Sequence, residues 1–442
     1  MKILEYTLGL PPFRRGGLPR YSTDLSEELA KENRVYLIYP GQINPYSKKI
    51  KLTKKHTKYS FETIEMKNPL PVSLGLGIKD EKYYMEKRDI KALEEFVKEI
   101  KPDVVHFHTL MGMPKDFLEY LHRKNIRMIY TTHDFYGLCP KMLSKNPKRE
   151  LTNPRCSYDC MMCNIGPSYK KIVIMQSHLY ENLKESKLIK KLRSKDKNNI
   201  SQNNDSVILS LKEAELRYKL RKYYLKMFNL IDVFHFNSSV AEEYFKKFLP
   251  TSYGKVVNIT HKNLKIYKKS RKIKKSNIVI GYVGPYDNKK GFYKLIKILC
   301  ELRSNKYTNF EFHACGDVKN MSIFNKKWAF NHKVLTSSKM NSFYNKIDIL
   351  IMPSLWHETF GFSVLEGLSH DDICIVSNNV GAKDLVAPDL IFNTTHELIL
   401  KLEKILSTNS QELTKLQNMS RSKTLPIDFA SHCREIKDTF YR

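Results

Sequence analysis

The chain lacks any run of about 18 or more uncharged apolar residues, the length a helix needs to cross a bilayer. Met1 leads straight into Ile3-Leu4-Glu5-Tyr6 rather than through a basic segment into an apolar one. Neither secretion nor membrane spanning is therefore expected. Acidic residues are scarce: 46 Asp and Glu face 76 Lys and Arg, a net charge of +30 over 442 residues. A field of that sign draws nucleic acid, anionic membrane surfaces or phosphorylated substrates, although lysine-rich codon usage alone would also produce it. Nucleic acid finds no support, because zinc-finger spacing with histidines, a basic region running into heptads and the aromatic strands of an RNA-recognition sheet are all missing. No segment recurs with a period of about 20 to 50 residues, which excludes solenoids and propellers.

What is present is apolar material for sizeable cores, 41% hydrophobic residues with 11% aromatic, over a length that suits two or three domains. Short runs rich in Val, Ile and Tyr alternate with helical patterns, the signature of parallel strands joined by crossover helices. Strands are expected at 3–6, 35–39, 104–108, 127–132 and 233–237, with helices at 21–31 and 90–100. The pattern restarts with strands at 278–283, 310–315, 347–352 and 373–377 and helices at 291–303, 362–368 and 397–406. The fold class is thus α/β, with two Rossmann-like doubly wound domains facing across a cleft. The boundaries are 1–260 for the first domain, 261–277 for an exposed basic linker, 278–424 for the second domain and 425–442 for a helix that returns to the first. Within the first domain lie a Cys-rich loop (139–163) and a polar, Asn-rich insertion (184–206).

Ligands of open parallel sheets bind beyond the carboxyl ends of the strands, so the loops there carry the chemistry. After the first strand, Gly16 and Gly17 allow backbone N–H groups to approach an anion, and a helix N-terminus follows. His133, in Thr132-His133-Asp134, ends a strand where it can hydrogen-bond a substrate or orient a reacting group. Lys289 and Lys290 precede a helix where a phosphate would meet its N-terminus, without the order of a Walker loop. Glu358 and Glu366 are separated by seven residues across a helix start, with Gly361 and Phe362 at its N-terminal amides. That arrangement can hold a sugar hydroxyl, a diphosphate and a ribose diol in sequence.

Cys139, Cys156, Cys160 and Cys163 cluster after the His133 loop and could hold a tetrahedral structural zinc; four free thiols are the alternative. Two basic helical segments, 168–191 and 209–228, could lie in an anionic membrane interface or dock on the first domain, the second of them preferentially so.

Taken in order and spacing, the Gly16-Gly17 loop, Pro102 to His108, Thr132-His133-Asp134, Val283-Gly284 with Lys290-Gly291, the Glu358 to Glu366 motif and Ser377 to Gly381 resemble glycosyltransferase family 4. These are retaining GT-B enzymes that use nucleotide-sugar donors. The resemblance implies that Lys290 neutralises the donor diphosphate and that Gly361, Phe362 and Ser363 bind the donor at its phosphates. It implies that Glu366 takes the ribose hydroxyls, Glu358 contacts the sugar near the reacting face, Gly16 and Gly17 close over the phosphates, and His133 contacts the transferred sugar. It further implies chemistry without a metal, so that zinc would be structural only. Two positions depart from the family: Pro285 stands where an Arg is common, which leaves that phosphate contact either missing or supplied by Lys289, Arg14 or Arg15, and His370-Asp371-Asp372 replaces a small-residue turn.

The expectation is a cytoplasmic retaining hexosyltransferase, peripherally bound to the inner face of the cell membrane. It would transfer a sugar to a glycan or polyprenyl-diphosphate-linked acceptor in surface-polysaccharide (capsule) biosynthesis. A weak or inactive sugar-nucleotide-binding partner subunit and a nucleotide-sugar epimerase of the same fold are the competing readings.

Overall fold

Strands buried on both faces must be apolar along their whole length, and Ile349-Leu350-Ile351-Met352 or Ile373-Cys374-Ile375-Val376 leave no polar face to turn to water. The computed structural model describes residues 1–14, 16–73, 78–138, 167–184, 186, 211–269, 273–421, 425–426 and 428–442. The first sheet contains β1 (Lys2–Tyr6), β2 (Arg34–Pro40), β3 (Lys51–Lys55), β4 (Glu62–Lys67), β5 (Val104–Phe107), β6 (Arg127–Thr131), β7 (Val233–Phe236) and β8 (Gly254–Val256). Its order is β3-β4-β2-β1-β5-β6-β7-β8, parallel except for the β3 edge. The second contains β9 (Ile278–Val283), β10 (Phe310–Cys315), β11 (Ala329–Asn331), β12 (Ile349–Met352), β13 (Ile373–Ser377) and β14 (Ile391–Phe392). Its order is β11-β10-β9-β12-β13-β14, parallel throughout. The fold is therefore two doubly wound α/β domains.

Strand order reverses between β1 and β5 in one sheet and between β9 and β12 in the other. These are the switch points at which crossover helices leave to opposite faces and open a crevice. The loops after β1, β9 and β12 are those that carry Gly16-Gly17, Lys289-Lys290 and Glu358.

Neighbouring residues on β1 and β2 serve opposite faces. Ile3, Val35 and Leu37 join an apolar cluster that continues through Tyr21, Phe429 and Ile436 into the second sheet. Leu4, Tyr36 and Ile38 belong to a separate core with Phe228, Phe234 and Phe245. The C-terminal helix Phe429–Phe440 lies against the helix Gly17–Leu29, and Arg127 Nε donates to Phe440 O at 2.8 Å.

The segment 261–277 is exposed at most of its described residues, as a linker should be, yet it is pinned to the fold rather than loose. Leu264 and Ile273 are buried, Tyr267 N–H donates to Ser369 O at 2.7 Å, and the Lys269 ammonium is buried in an ion pair with Asp372. Its lysines suggested solvent, but one of them neutralises a buried carboxylate. The helix Leu211–Phe228 docks on the first domain, the alternative preferred for it, and carries Arg217 and Arg221 into the interior, where Arg217 Nε lies 2.8 Å from Glu81 Oε1. Leu220, Tyr224 and Met227 fill the first domain's core. The preceding basic segment forms two short helices, Tyr169–Met175 and His178–Leu183. Gln176 between them turns inward, accepting from Val72 N–H at 2.8 Å and donating to Gly41 O at 3.1 Å. The Cys-rich loop with Cys139, Cys156, Cys160 and Cys163, and nearly all of the 184–206 insertion, lie outside the described residues. No helix among the described residues is long and apolar enough to cross a membrane.

Candidate functional site

The loop after β12 is clamped before it reaches the next helix. Glu358 N–H donates to Asn379 O at 2.8 Å, and Glu358 O accepts from Gly381 N–H at 2.9 Å, so the backbone on both sides of the carboxylate is fixed. Gly361 then takes φ 107° and opens the helix Phe362–Ser369, a backbone region that glycine occupies without a Cβ penalty. The loop after β9 comes to meet it. Lys290 N–H donates to Asp287 Oδ1 at 2.8 Å, and Gly291 sits at φ 73° with its missing Cβ only 1.9 Å from Pro353 O. Any side chain at Gly291 would force the two loops apart.

Their approach puts Lys290 Nζ 2.8 Å from Glu358 Oε1, the two side chains 20% and 10% exposed. Lys289 and Lys290 each hold Nζ 5.1 Å from the centre of the Trp356 ring, so two cations share one aromatic ring. The first turn of the Phe362–Ser369 helix offers N–H groups without intrahelical partners and the positive end of its dipole.

The first domain supplies the opposite wall. Gly17, Leu18, His133, Asp134, Phe135, Asn237 and Ile259 face Lys290, Trp356 to Phe362 across a cavity of about 230 Å³. The two walls are joined at Thr359, whose hydroxyl donates to His133 O at 2.8 Å and whose carbonyl accepts from Ser238 Oγ at 2.5 Å. Beside that joint Asp384 accepts from Ser239 N–H at 2.8 Å and Asn258 Nδ2 at 3.0 Å. Gly381 is required there, since a Cβ would lie 2.1 Å from Thr359 O.

Gly17, His133, Lys290, Glu358, Gly361 and Phe362 thus share one cavity; Gly16, Ser363 and Glu366 do not line it. Gly16 precedes the helix with φ 129°. Ser363 Oγ points to Met352 Sδ at 3.8 Å. Glu366 lies one turn farther along, accepting from Tyr344 OH at 2.9 Å with His261 Nε2 at 3.4 Å, and His261 Nδ1 is 3.0 Å from Arg20 Nη2. Burial works to raise the Glu366 carboxyl, but the hydrogen bond and charge of His261, Tyr344 and Arg20 outweigh it and hold the group below its ordinary value. Asp134 is the reverse case: burial pushes it up to about 6, against the bond it accepts from Tyr136 N–H.

The replaced turn has a physical explanation. Asp371 occupies the left-handed region at φ 58°, which aspartate tolerates better than most residues. Its carboxylate meets Arg421, its carbonyl accepts from Gln417 Nε2 at 2.7 Å, and the His370 ring stacks on Tyr267 at 4.2 Å. Pro285 O accepts from Tyr282 OH at 2.8 Å. Of the cations considered as stand-ins for the usual Arg, Lys289 lies near the cavity at Trp356. Arg14 is not among the cavity-lining residues and feels Glu181 and Tyr180, while Arg15 lies outside the described residues.

Sequence reasoning missed Asn237. It is fully buried, lines the cavity, and neither its amide oxygen nor its amide nitrogen has a partner among the described residues. Buried polar groups are normally paired, so this amide marks a place for a ligand's polar atoms. Nothing in Phe236-Asn237-Ser238 signals that. Trp356 stands two residues before the Glu358 motif, but only the meeting of two loops brings lysines to its ring. His261 was hidden in a stretch read as linker.

Two open parallel-sheet domains with a cation, a carboxylate and a helix N-terminus at their facing switch points define the GT-B class of glycosyltransferases. The chain belongs to glycosyltransferase family 4: residues 15–156 match the model described as Glycosyltransferase Family 4, and residues 264–423 match that of Glycosyl transferases group 1. Among known structures it is similar to sucrose-phosphate synthase from Thermosynechococcus elongatus, with 13% identity, a TM-score of 0.56 and coverage of 99% of this chain and 97% of that one. It is also similar to an Escherichia coli protein described as trehalose-6-phosphate bound with UDP-2-fluoro glucose, with 9% identity, a TM-score of 0.57 and coverage of 100% and 99%. An α,α-trehalose-phosphate synthase (UDP-forming) from Burkholderia xenovorans, in complex with glucose-6-phosphate, matches with 9% identity, a TM-score of 0.56 and coverage of 100% and 99%. At these identities the likeness speaks to the fold. A curated relative, an uncharacterized 42.6 kDa protein in the cps region of Klebsiella pneumoniae, is 22% identical over 306 residues, 68% of this chain; the match spans 65% of that relative, just under two thirds of its length.

Proposed function

We propose that this chain is a retaining glycosyltransferase that moves a hexose from a nucleotide diphosphate sugar to a glycan acceptor. The acceptor we favour is a lipid-diphosphate-linked intermediate of a surface polysaccharide. The observation that carries the reading is the Lys290–Glu358 ion pair, at 2.8 Å beside the Gly361 helix start and facing His133 across the cleft. An incoming diphosphate takes Lys290 from Glu358 and gains the helix N-terminal amides. As the glycosidic bond breaks, negative charge grows on the leaving phosphate, and donors already aimed at it stabilise the transition state. Glu358, released from Lys290, is left to accept from a sugar hydroxyl, and the Asn237 amide can both donate to and accept from another. Glu366, already ionised and flanked by Tyr344 and His261, suits a ribose diol.

Retention follows from front-face attack, the departing phosphate taking the acceptor's proton. A glycosidase-like pair does not suit this site, because Glu358 and Glu366 do not share the cavity. The cps-region relative supports a polysaccharide acceptor. A membrane-bound acceptor is supported by Ile174, Leu179 and Leu183 at 61%, 71% and 47% exposure, with Lys170 and Lys171 exposed beside them and Lys184 Nζ 5.7 Å from the ring centre of exposed Phe13. A structural zinc on Cys139, Cys156, Cys160 and Cys163 is retained as a proposal, to be checked by metal analysis of reduced protein.

Incubation with a panel of nucleotide sugars, followed by proton NMR of the products, tests the reading. Transfer or slow hydrolysis with an α-configured product from an α-configured donor supports it. Epimerisation, or an inverted product, refutes it, and so does full turnover in Lys290→Met.

A further inference from the structure

Behind the cavity wall lies a polar core that donor binding does not use. Glu5, on β1 and opposite His106 of β5, is fully buried. Its Oε2 lies 2.7 Å from His108 Nε2, and its Oε1 lies 3.0 Å from the Tyr441 hydroxyl. From Tyr441 the contacts run on: 2.8 Å to His106 Nδ1, 2.7 Å from His106 Nε2 to Thr131 Oγ1, 2.9 Å from Thr131 Oγ1 to His235 Nδ1 and 2.8 Å from His235 Nε2 to Val257 O. On the other side His108 Nδ1 lies 3.1 Å from His133 Nε2.

Donor and acceptor bookkeeping fixes the protons. Val257 O only accepts, so His235 carries its proton on Nε2, and as a neutral ring it accepts at Nδ1 from the Thr131 hydroxyl. Thr131 must then accept from His106 Nε2–H. Tyr441 donates to Glu5 Oε1. Burial would raise the Glu5 carboxyl, but His106 and His108 hold it down to about 2, so it is ionised and both of its oxygens accept. His108 therefore donates from Nε2 and keeps a lone pair on Nδ1, and it receives the Nε2–H of His133.

We propose that Glu5 and His108 are positioning residues that hold His133 in its Nε2–H tautomer, so that its Nδ1 faces the cavity as an acceptor for a substrate hydroxyl. Nδ1 makes no hydrogen bond within the protein among the described residues. Burial pushes His133 well below its ordinary value and His108 down to about 4, which keeps both rings neutral at pH 7. A lone pair in that place rejects phosphate oxygens, which leaves the diphosphate to Lys290 and a hydroxyl-bearing sugar to His133. Only the identity of that hydroxyl rests on the glycosyltransferase reading. Ligand atoms of Glu5, His106 and His108 lie within 4.8 Å of one another, but a cation bound by all three would have to displace the His108 proton and break the chain.

The test uses the ligand-free protein with ¹⁵N-histidine, His133 being assigned by the signal lost in His133→Gln. At pH 7 we expect a neutral His133 with its proton on Nε2, the other tautomer suppressed about tenfold by one ordinary buried hydrogen bond. His108→Leu should release the ring to a mixture, whereas His108→Gln, whose amide can donate to Glu5 and accept from His133, should restore Nε2–H. Glu5→Gln, whose amide oxygen still accepts from His108 Nε2–H, should keep the His133 tautomer. Each variant is first checked for native near-UV circular dichroism, and Glu5→Leu, which removes the acceptor that fixes His108, serves if His108→Leu does not fold and should release His133 to a mixture in the same way. An Nδ1–H or doubly protonated His133 in the native protein overturns the proposal, as does an equivalent of divalent metal held by Glu5, His106 and His108. Neither result bears on whether the protein transfers sugars, which the nucleotide-sugar panel decides.

Discussion

Acidification to pH 5 should remove a large part of the stability of the first domain, through three buried histidines. His108 and His235 are fully buried and His432 is 3% exposed. Burial is the leading cause of the shift in each: His108 and His432 are pushed down to about 4 and His235 well below its ordinary 6.5, despite the carbonyl of Val257. Below pH 6.5 the unfolded chain protonates these rings, whereas the folded chain keeps His108 and His432 neutral down to about pH 4 and His235 neutral well below its ordinary value. Unfolding therefore takes up protons, and stability falls as pH falls across that window. Between pH 7 and pH 5 each ring accounts for about 2 kcal/mol, and the three for roughly 5 to 6 kcal/mol, against a total of about 5 to 15 kcal/mol for a typical domain. Glu5, which burial would raise but His106 and His108 hold down to about 2, gives up its stabilisation only below its ordinary 4.5 and does not interfere. Urea unfolding followed by circular dichroism at the two pH values measures the effect. His432→Gln, whose side chain can still accept from the Tyr21 hydroxyl seen 2.8 Å from His432, should remove about a third of it. A loss under about 2 kcal/mol in the native protein would mean that the core admits water or protons freely, and the reasoning from burial would fail.

Gly291→Ala should separate the β9 and β12 loops, since the new methyl would lie 1.9 Å from Pro353 O; a displacement of about 1 Å at Lys290 should cost about 100-fold in turnover, read by donor hydrolysis with the fold checked by circular dichroism. Asn237→Ala removes an amide that has no partner among the described residues, so its melting temperature should hold or rise while kcat/KM drops about tenfold, the opposite of a structural asparagine. Arg217→Leu leaves the Glu81 carboxylate buried without the charge 2.8 Å away and should cost about 3 to 5 kcal/mol in urea unfolding.

Most central parallel strands were legible because a strand buried on both faces has to be apolar along its length, as Ile278 to Val283 and Ile349 to Met352 are; β4 was not, because Glu62, Thr63 and Glu65 interrupt its apolar run although the strand is interior and parallel to β2. Edge strands were not. Lys51 to Lys55 in β3 has one solvated side and little apolar content, and β8, β11 and β14 are too short to show a period. The site was legible where chemistry is local: a glycine pair before a helix, two lysines before another, a glutamate in a loop.

Sequence alone determined the two-domain α/β architecture and the residues that motif order ties to a donor, since both are written in short-range patterns of apolarity and turn chemistry. Tertiary structure decided which of those residues meet. It set Lys290 on Glu358, placed Glu366 outside the cavity and against His261, and left Asn237 unpaired at the wall. It also joined Glu5 to His108 and His133 across 103 and 25 residues of chain. Contacts of that range depend on how two sheets and a returning C-terminal helix pack, and no local pattern of residues records it.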